Sequence, residues 1–492
     1  MAQPSLAKND NALRSVTPYR TAPQDAGKSN ETGKSETLET ELYAADKKVY
    51  PRAVGGWFAA WRWGLVWATQ LIFYGGAWLT WNDRQAILFD IVHRKFYILG
   101  LVFWPQDIIY LSVLLIVSAL SLFLFTAVAG RLWCGYACPQ TVYTEIFLWV
   151  ERVIEGDRNR RIQLDRGPWG ARKLGLKSAK HAVWIAIALW TGFTFVGYVT
   201  PIRELWAEVL SFSTGPWETF WILFYGFATY GNAGWMREQV CIYMCPYARF
   251  QSAMFDQDTL IITYDRERGE PRGARNKGGE RAGLGDCVNC GICVQVCPTG
   301  IDIRDGLQYQ CIGCAACVDG CNQVMDRVGY PHGLIRYSTQ NAMEQKFTRA
   351  QTLSRAFRPR VLVYSGIVWA VIIAAAVGLY VRIPLKVDVI RDRAAIAREV
   401  EGGKIENVYR LQIMNTAEAA RTFEIRAEGL PTLHVAGAHR VEVDPTASRL
   451  LPVSLRVESW AAQPGTHKIE FAVSAVGIEG VAVREKSVFI VR

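Results

Sequence analysis

The chain has 492 residues, half of them hydrophobic and 12% aromatic, with 12 cysteines and a formal net charge of +10. Its aromatic content excludes a largely disordered chain, and cysteines spread so thinly exclude a small disulfide scaffold. At roughly 100–200 residues per domain, the length calls for several domains, and the basic balance suits either an anionic membrane or nucleic acid.

Residues 1–48 are polar and lack the apolar core of a secretory signal, so a flexible cytoplasmic arm is expected there. Five stretches then approach the about 20 residues of apolar helix that a bilayer requires. They are 60–81, 108–130, 181–200, 217–235 and 361–381. The second and fifth carry no charge in their interiors. The third and fourth are shorter and rich in Trp, Phe and Gly, and a buried core helix competes with a span for that pair. Residues 96–104 stop at Pro105 and are too short to cross, so a re-entrant or interfacial segment is expected. The loop 131–180 holds ten Lys and Arg residues, against four in 82–107 and 201–216 together. The positive-inside rule thus places 1–56, 131–180 and 236–360 in the cytoplasm and the C-terminal segment outside. The basic excess is accounted for by topology and membrane lipid, with no call for a nucleic-acid partner.

Within residues 49–256, a four-span membrane domain, the sequence repeats a signature. RLWCGYACPQ holds Cys134 and Cys138, and QVCIYMCPYA holds Cys241 and Cys245. Each is C-x3-C-P, and each follows a hairpin of two predicted spans on the cytoplasmic side. An internal duplication is expected, spans one and two matching three and four. On a helical turn, cysteines four apart share a face. Two such pairs meeting in a bundle offer up to four thiolates, ligands that select copper(I), zinc or iron–sulfur centres. Spacing does not choose among these metals, and a dithiol–disulfide couple also fits. Met236, Met244 and Met254 lie nearby, where packing is the first expectation. Lone histidines at 93 and 181 lack the pairing or C-x-x-C-H motif of a haem site.

Residues 257–360 are expected to form a cytoplasmic α+β ferredoxin domain. DCVNCGICVQVCP holds Cys287, Cys290, Cys293 and Cys297, and QCIGCAACVDGCN holds Cys311, Cys314, Cys317 and Cys321. Each run is C-x2-C-x2-C-x3-C, in which three thiolates on a tight loop reach three irons of a cubane and the fourth ligates the other cluster. The expected 4Fe–4S ligand sets are therefore Cys287, Cys290, Cys293 and Cys321, and Cys311, Cys314, Cys317 and Cys297. Pro298 follows the first run as this pattern expects, whereas Asn322 follows the second. His332 falls just beyond, as a surface residue.

A fifth span, 361–384, leads to residues 385–492, which contain no cysteine. Seven alternating runs separated by Gly, Pro, Asn or Asp predict an all-β, immunoglobulin-like sandwich on the periplasmic side, suited to partner contact. Its histidines, 434, 439 and 467, are expected at the surface.

The combination of two C-x3-C-P motifs after membrane hairpins, an eight-cysteine ferredoxin block, one further span and a terminal sandwich resembles the CcoG/FixG (RdxA) family. The resemblance covers roughly residues 40–492. It implies a bacterial inner-membrane polyferredoxin, a cytochrome c oxidase accessory protein acting as a cupric reductase (Cu2+ to Cu+) in assembly of cbb3-type oxidase. It implies that Cys134, Cys138, Cys241 and Cys245 are the copper-binding candidates, that the two 4Fe–4S clusters supply electrons, and that a copper chaperone or oxidase assembly factor is the partner. Two other classes fit the same motifs: a quinol-to-acceptor electron-transfer subunit, and an assembly module with structural clusters.

Overall fold

In a computed structural model, residues 48–274, 283–392, 397–437 and 439–491 are described. The expected N-terminal arm, apart from Lys48, lies outside them.

Three helices are long and apolar enough to cross a membrane: Pro105–Ala129, Ala171–Val196 and Pro359–Tyr380. They answer to the second, third and fifth expected spans. The other two differ from expectation. Residues 60–81 contribute to the helix Trp57–Gly76, whose Arg62 is buried. Residues 217–235 form an α-helix of only 14 residues, Pro216–Thr229, which widens into a π-helix over Tyr230–Met236. Five spans are therefore not shown. The physical reason is composition: Trp, Tyr, Gly and one Arg make these two segments amphipathic, and the wider turn breaks the second of them.

Small residues let the helices approach. A side chain at Gly192 would lie 2.3 Å from the carbonyl oxygen of Ile222, so Ala171–Val196 and Pro216–Thr229 touch backbone to backbone there. Pro359–Tyr380 lies along Ile108–Ala129, where the Tyr110 hydroxyl donates to the carbonyl of Gly378 at 3.0 Å.

At one end of the helices, residues 96–104 are neither re-entrant nor interfacial. They form strands Lys95–Ile98 and Leu101–Phe103, which pair antiparallel with each other, while the first also pairs with Ile87–Asp90. Strand periodicity prevails here because Leu99 takes a positive φ of 52° and turns the chain into a hairpin, burying Tyr97 and Val102 on one face. That face packs with Trp104 and with Met414 of the C-terminal domain. Buried Asp107 accepts from Arg382 at 2.7 Å and pairs with Lys386. Glu418 reaches Arg84 at 2.7 Å. The terminal domain is thus fastened to the loop between the first two helices.

That domain is the expected sandwich. One sheet orders His434–Ala436, Ser448–Glu458, Lys404–Asn415 and Leu385–Arg391, with Arg398–Val400 also paired to Lys404–Asn415. The facing sheet orders Arg440–Val443, Arg421–Glu428, Gly465–Ala475 and Ala482–Val491. All seven expected runs are strands, and two short ones, Arg398–Val400 and His434–Ala436, join them. Tyr409, Leu411, Phe423, Phe471 and Phe489 fill the space between the sheets. His434 and His467 are exposed, as expected.

At the opposite end sits the ferredoxin block. Strands Ile261–Tyr264 and Ile335–Ser338 pair antiparallel beside the helix Ala316–Val328, with Ile262, Met325 and Ile335 in the core. Asp319 of that helix accepts from the backbone N–H groups of Phe58 (3.3 Å) and Ala59 (2.8 Å). The cluster-bearing helix therefore caps the helix Trp57–Gly76, joining the two domains rigidly.

Candidate functional site

The proline of each C-x3-C-P motif decides its local structure. Proline cannot continue a helix but favours its first position. Pro139 and Pro246 accordingly open the helices Pro139–Glu155 and Pro246–Met254, with Cys138 and Cys245 in the extended N-cap position before them. Cys134 lies in the short helix Leu132–Tyr136, and Cys241 in a π-turn, Val240–Met244. The pairs therefore do not share one helical face, as expected from spacing, but flank a helix break. The break aims backbone donors at sulfur: the N–H groups of Gln140 and Thr141 point to Cys138.

The duplication is visible in the backbone. Four residues before the first cysteine of each motif the chain enters the left-handed region, at Gly130 (φ 54°, ψ −120°) and Arg237 (φ 40°, ψ −111°). Glycine suits this position, since a side chain at Gly130 would meet the Leu260 carbonyl oxygen at 2.7 Å. Arg237 occupies it under strain. It is held by its bond to Gly234 O (2.9 Å) and by its ion pair with Glu151 (2.7 Å).

The four thiols of the two motifs converge. Cys134 interacts electrostatically with Cys138 and Cys245, Cys138 with Cys245, and Cys241 with all three. Burial pushes Cys134 up to about 11 and Cys241 up to about 12, with neighbouring thiols adding to the rise. Without a metal this site holds thiols, and metal binding releases their protons. The Cys134 thiol donates to the fully buried Gln251 at 3.4 Å. Met244 is exposed.

The ferredoxin cysteines converge in the two sets expected. Cys321 interacts with Cys287, Cys290 and Cys293, while Cys317 interacts with Cys297, Cys311 and Cys314. The sets also touch, through Cys317 and Cys293. Burial pushes Cys293 up to about 11, and Cys311 and Cys321 up to about 12.

The surroundings fit iron–sulfur clusters. A small apolar cavity is lined by Cys293, Cys297, Cys311, Cys314 and Cys317 with Ile262, Ile303 and Ile312. Backbone N–H groups aim at sulfur: Thr299 and Ile301 at Cys297, Gly313 at Cys311, Ile335 at Cys321. Such bonds stabilise anionic sulfur and tune cluster potential. Among the described residues, no three His, Cys, Asp or Glu side chains close on one point as a single metal ion requires. A cubane takes each thiolate on a different iron, and its ligands stand further apart. Cys290 is exposed, which brings the first set to the surface.

Two residues that spacing did not flag join the motif thiols to the second ferredoxin set. A side chain at Gly135 would lie 2.8 Å from Cα and N of Cys314 and from the Ile312 carbonyl oxygen, so the loops are in backbone contact. Buried Arg131 donates to the carbonyls of Tyr309 and Ala248, and its charge reaches Cys134, Cys241, Cys245 and Cys311. A signal was present for both, since each lies within three residues of Cys134 (Arg131 and Gly135), but only the fold shows what they touch. His332 is exposed and pairs with Asp326 at 2.5 Å, and His93 is exposed and pairs with Asp90 at 2.7 Å. His181 bonds the Tyr230 hydroxyl at 2.9 Å.

Comparison with known proteins matches three segments to family models. Residues 236–340 match a 4Fe-4S dicluster domain, residues 111–177 a 4Fe-4S binding domain, and residues 375–492 the IG-like fold at the C-terminus of FixG. The chain is 38% identical over 468 residues to nitrogen fixation protein FixG of Rhizobium meliloti, covering 87% of this chain and 89% of that one. It is 40% identical over 405 residues to protein RdxA of Cereibacter sphaeroides, covering 80% and 84%. Protein RdxB of the same organism is 39% identical over 399 residues, covering 79% and 84%. A crystal structure of a FixG-related protein from Vibrio parahaemolyticus aligns with 22% of this chain and 95% of its own, at 24% identity and a TM-score of 0.20.

Proposed function

The chain belongs to the FixG/RdxA family of iron–sulfur electron-transfer proteins, and from that premise we propose that it is a cupric reductase of a bacterial inner membrane, converting Cu2+ to Cu+ for assembly of cbb3-type cytochrome c oxidase. The observation that carries this reading is the backbone contact of Gly135 with Cys314, which sets the thiols of Cys134, Cys138, Cys241 and Cys245 against the second ferredoxin set. Clusters held by the two ferredoxin sets supply electrons one at a time at low potential. The chain's own residues provide the path. Cys317 and Cys293 bring the ferredoxin sets together, Gly135 removes the side chain that would hold the loops apart, and Arg131 sets a positive charge between them.

The motif thiols are the point of exit. A Cu2+ ion arriving there accepts one electron and becomes Cu+, the soft ion that sulfur donors prefer. Five helices crossing the membrane, with the ferredoxin block in the cytoplasm and the sandwich in the periplasm, accord with the ten basic residues of loop 131–180. A copper chaperone or oxidase assembly factor would meet the sandwich or collect Cu+ at the thiols.

The test mixes anaerobically reduced, desalted protein with Cu2+ and traps Cu+ with a selective chelator. Wild type should form Cu+ as cluster absorbance returns to its oxidised value. Cys290→Ala should lose both together, and Cu+ formation undiminished in that variant refutes the electron path.

A further inference from the structure

The four motif thiols resemble the two ferredoxin sets more than they resemble a mononuclear copper site. In the set of Cys297, Cys311, Cys314 and Cys317, every thiol interacts with the other three, and the same holds for Cys134, Cys138, Cys241 and Cys245. In neither do three ligands close on one point, among the described residues. A copper(I) ion needs only two or three thiolates drawn tightly together, whereas a cubane uses four, each on its own iron.

The surroundings repeat the ferredoxin pattern as well. Backbone N–H groups of a helix start aim at Cys138, and Gln251, buried completely, accepts from Cys134. Arg131 is 7% exposed, its charge lies within reach of three of the four sulfurs, and its Nε has no hydrogen-bond partner. A buried, incompletely partnered cation beside four sulfurs calls for a net negative group, and a cubane with four thiolates is one. The segment 111–177, matched to a 4Fe-4S binding domain, contains only Cys134 and Cys138. Two ligands are therefore missing from it, and the fold delivers Cys241 and Cys245 from the other half of the repeat.

We propose that Cys134, Cys138, Cys241 and Cys245 together ligate a third 4Fe–4S cluster, one thiolate to each iron, assembled across the two halves of the duplication. The inference rests on the reading above only for the direction of electron flow: the exit station is itself a cluster, and Cu2+ takes its electron there without displacing the thiolates.

The experiment is iron and acid-labile sulfide analysis of the full chain, purified anaerobically in detergent, with EPR after dithionite reduction. Wild type should contain about twelve irons and twelve sulfides per chain, and Cys134→Ser/Cys138→Ser should fall to about eight of each, with the two ferredoxin signals retained. Cys241→Ser/Cys245→Ser should give the same loss, since either half alone is incomplete. Arg131→Met, which removes no ligand, should keep the wild-type iron content and shift the third signal to a more negative midpoint potential. About eight irons in correctly folded wild type overturns the third cluster and leaves copper reduction at bare thiols standing. Twelve irons with no Cu2+ reduction overturns the copper reading and leaves the cluster standing.

Discussion

Replacing Gly135 by alanine adds one methyl group where the motif loop meets the ferredoxin loop. The added Cβ would stand 2.8 Å from Cα and N of Cys314 and from the Ile312 carbonyl oxygen, all backbone-held positions, where ordinary contact begins at 3.4 Å. The loops must part by about 0.6 Å, and forced overpacking of this kind costs about 1–3 kcal/mol. The sign is diagnostic. Gly135 lies inside the helix Leu132–Tyr136, without a left-handed φ, so alanine there would otherwise stabilise the helix by about 0.5–1 kcal/mol. Thermal unfolding of anaerobically purified protein measures the first effect, and stopped-flow Cu+ formation measures the second. Gly135→Ala should melt below wild type and reduce Cu2+ more slowly, with both ferredoxin signals intact. A variant that melts above wild type and reduces copper at the wild-type rate refutes the contact and the path drawn through it.

Glu151 is 2% exposed and accepts from Arg161 and Arg237 at 2.7 Å each, with Lys180 at 3.6 Å. Glu151→Gln leaves buried cations without their anion and should destabilise by about 3–5 kcal/mol, read by thermal melting. Burial by itself would raise this carboxyl, but Arg237, Arg161 and Lys180 outweigh it and hold the group below its ordinary 4.5. Its stabilisation is therefore present above pH 4.5 and lost as acidification passes through the lower folded value, a slope that Glu151→Gln should lack. Asp319→Asn should weaken the cap on Trp57–Gly76 by about 0.5–2 kcal/mol, visible as faster hydrogen exchange at Phe58 and Ala59. Asp107→Asn removes the anion that Arg382 and Lys386 share, costing about 1.5–3 kcal/mol, and should speed protease release of the C-terminal sandwich.

Metal-ligating cysteines were legible because their chemistry is written in spacing. Two C-x2-C-x2-C-x3-C runs impose the exchanged pairing whatever lies between them, and Cys321 and Cys297 do cross to the other run's set. Strand alternation in 385–492 was equally plain, since a two-sided sandwich requires an apolar residue at every second position. The three most apolar helices follow from uninterrupted hydropathy. The same rule misjudged 96–104, a hairpin whose apolar side chains divide between two faces, and overstated Pro216–Met236, where a π-turn interrupts the helix.

What a motif touches is set by chain reversals hundreds of residues apart. Nothing local to Arg131 or Gly135 announces that one charge and one missing side chain join Cys134 to Cys314. Nor does either C-x3-C-P motif reveal that its partner thiols come from the other half of a repeat. Sequence by itself determined which atoms could bind metal, because ligand identity and spacing are covalent properties. Tertiary structure alone decided that three sets of them abut, because that depends on helices packed through glycines and on buried charges paired across the fold.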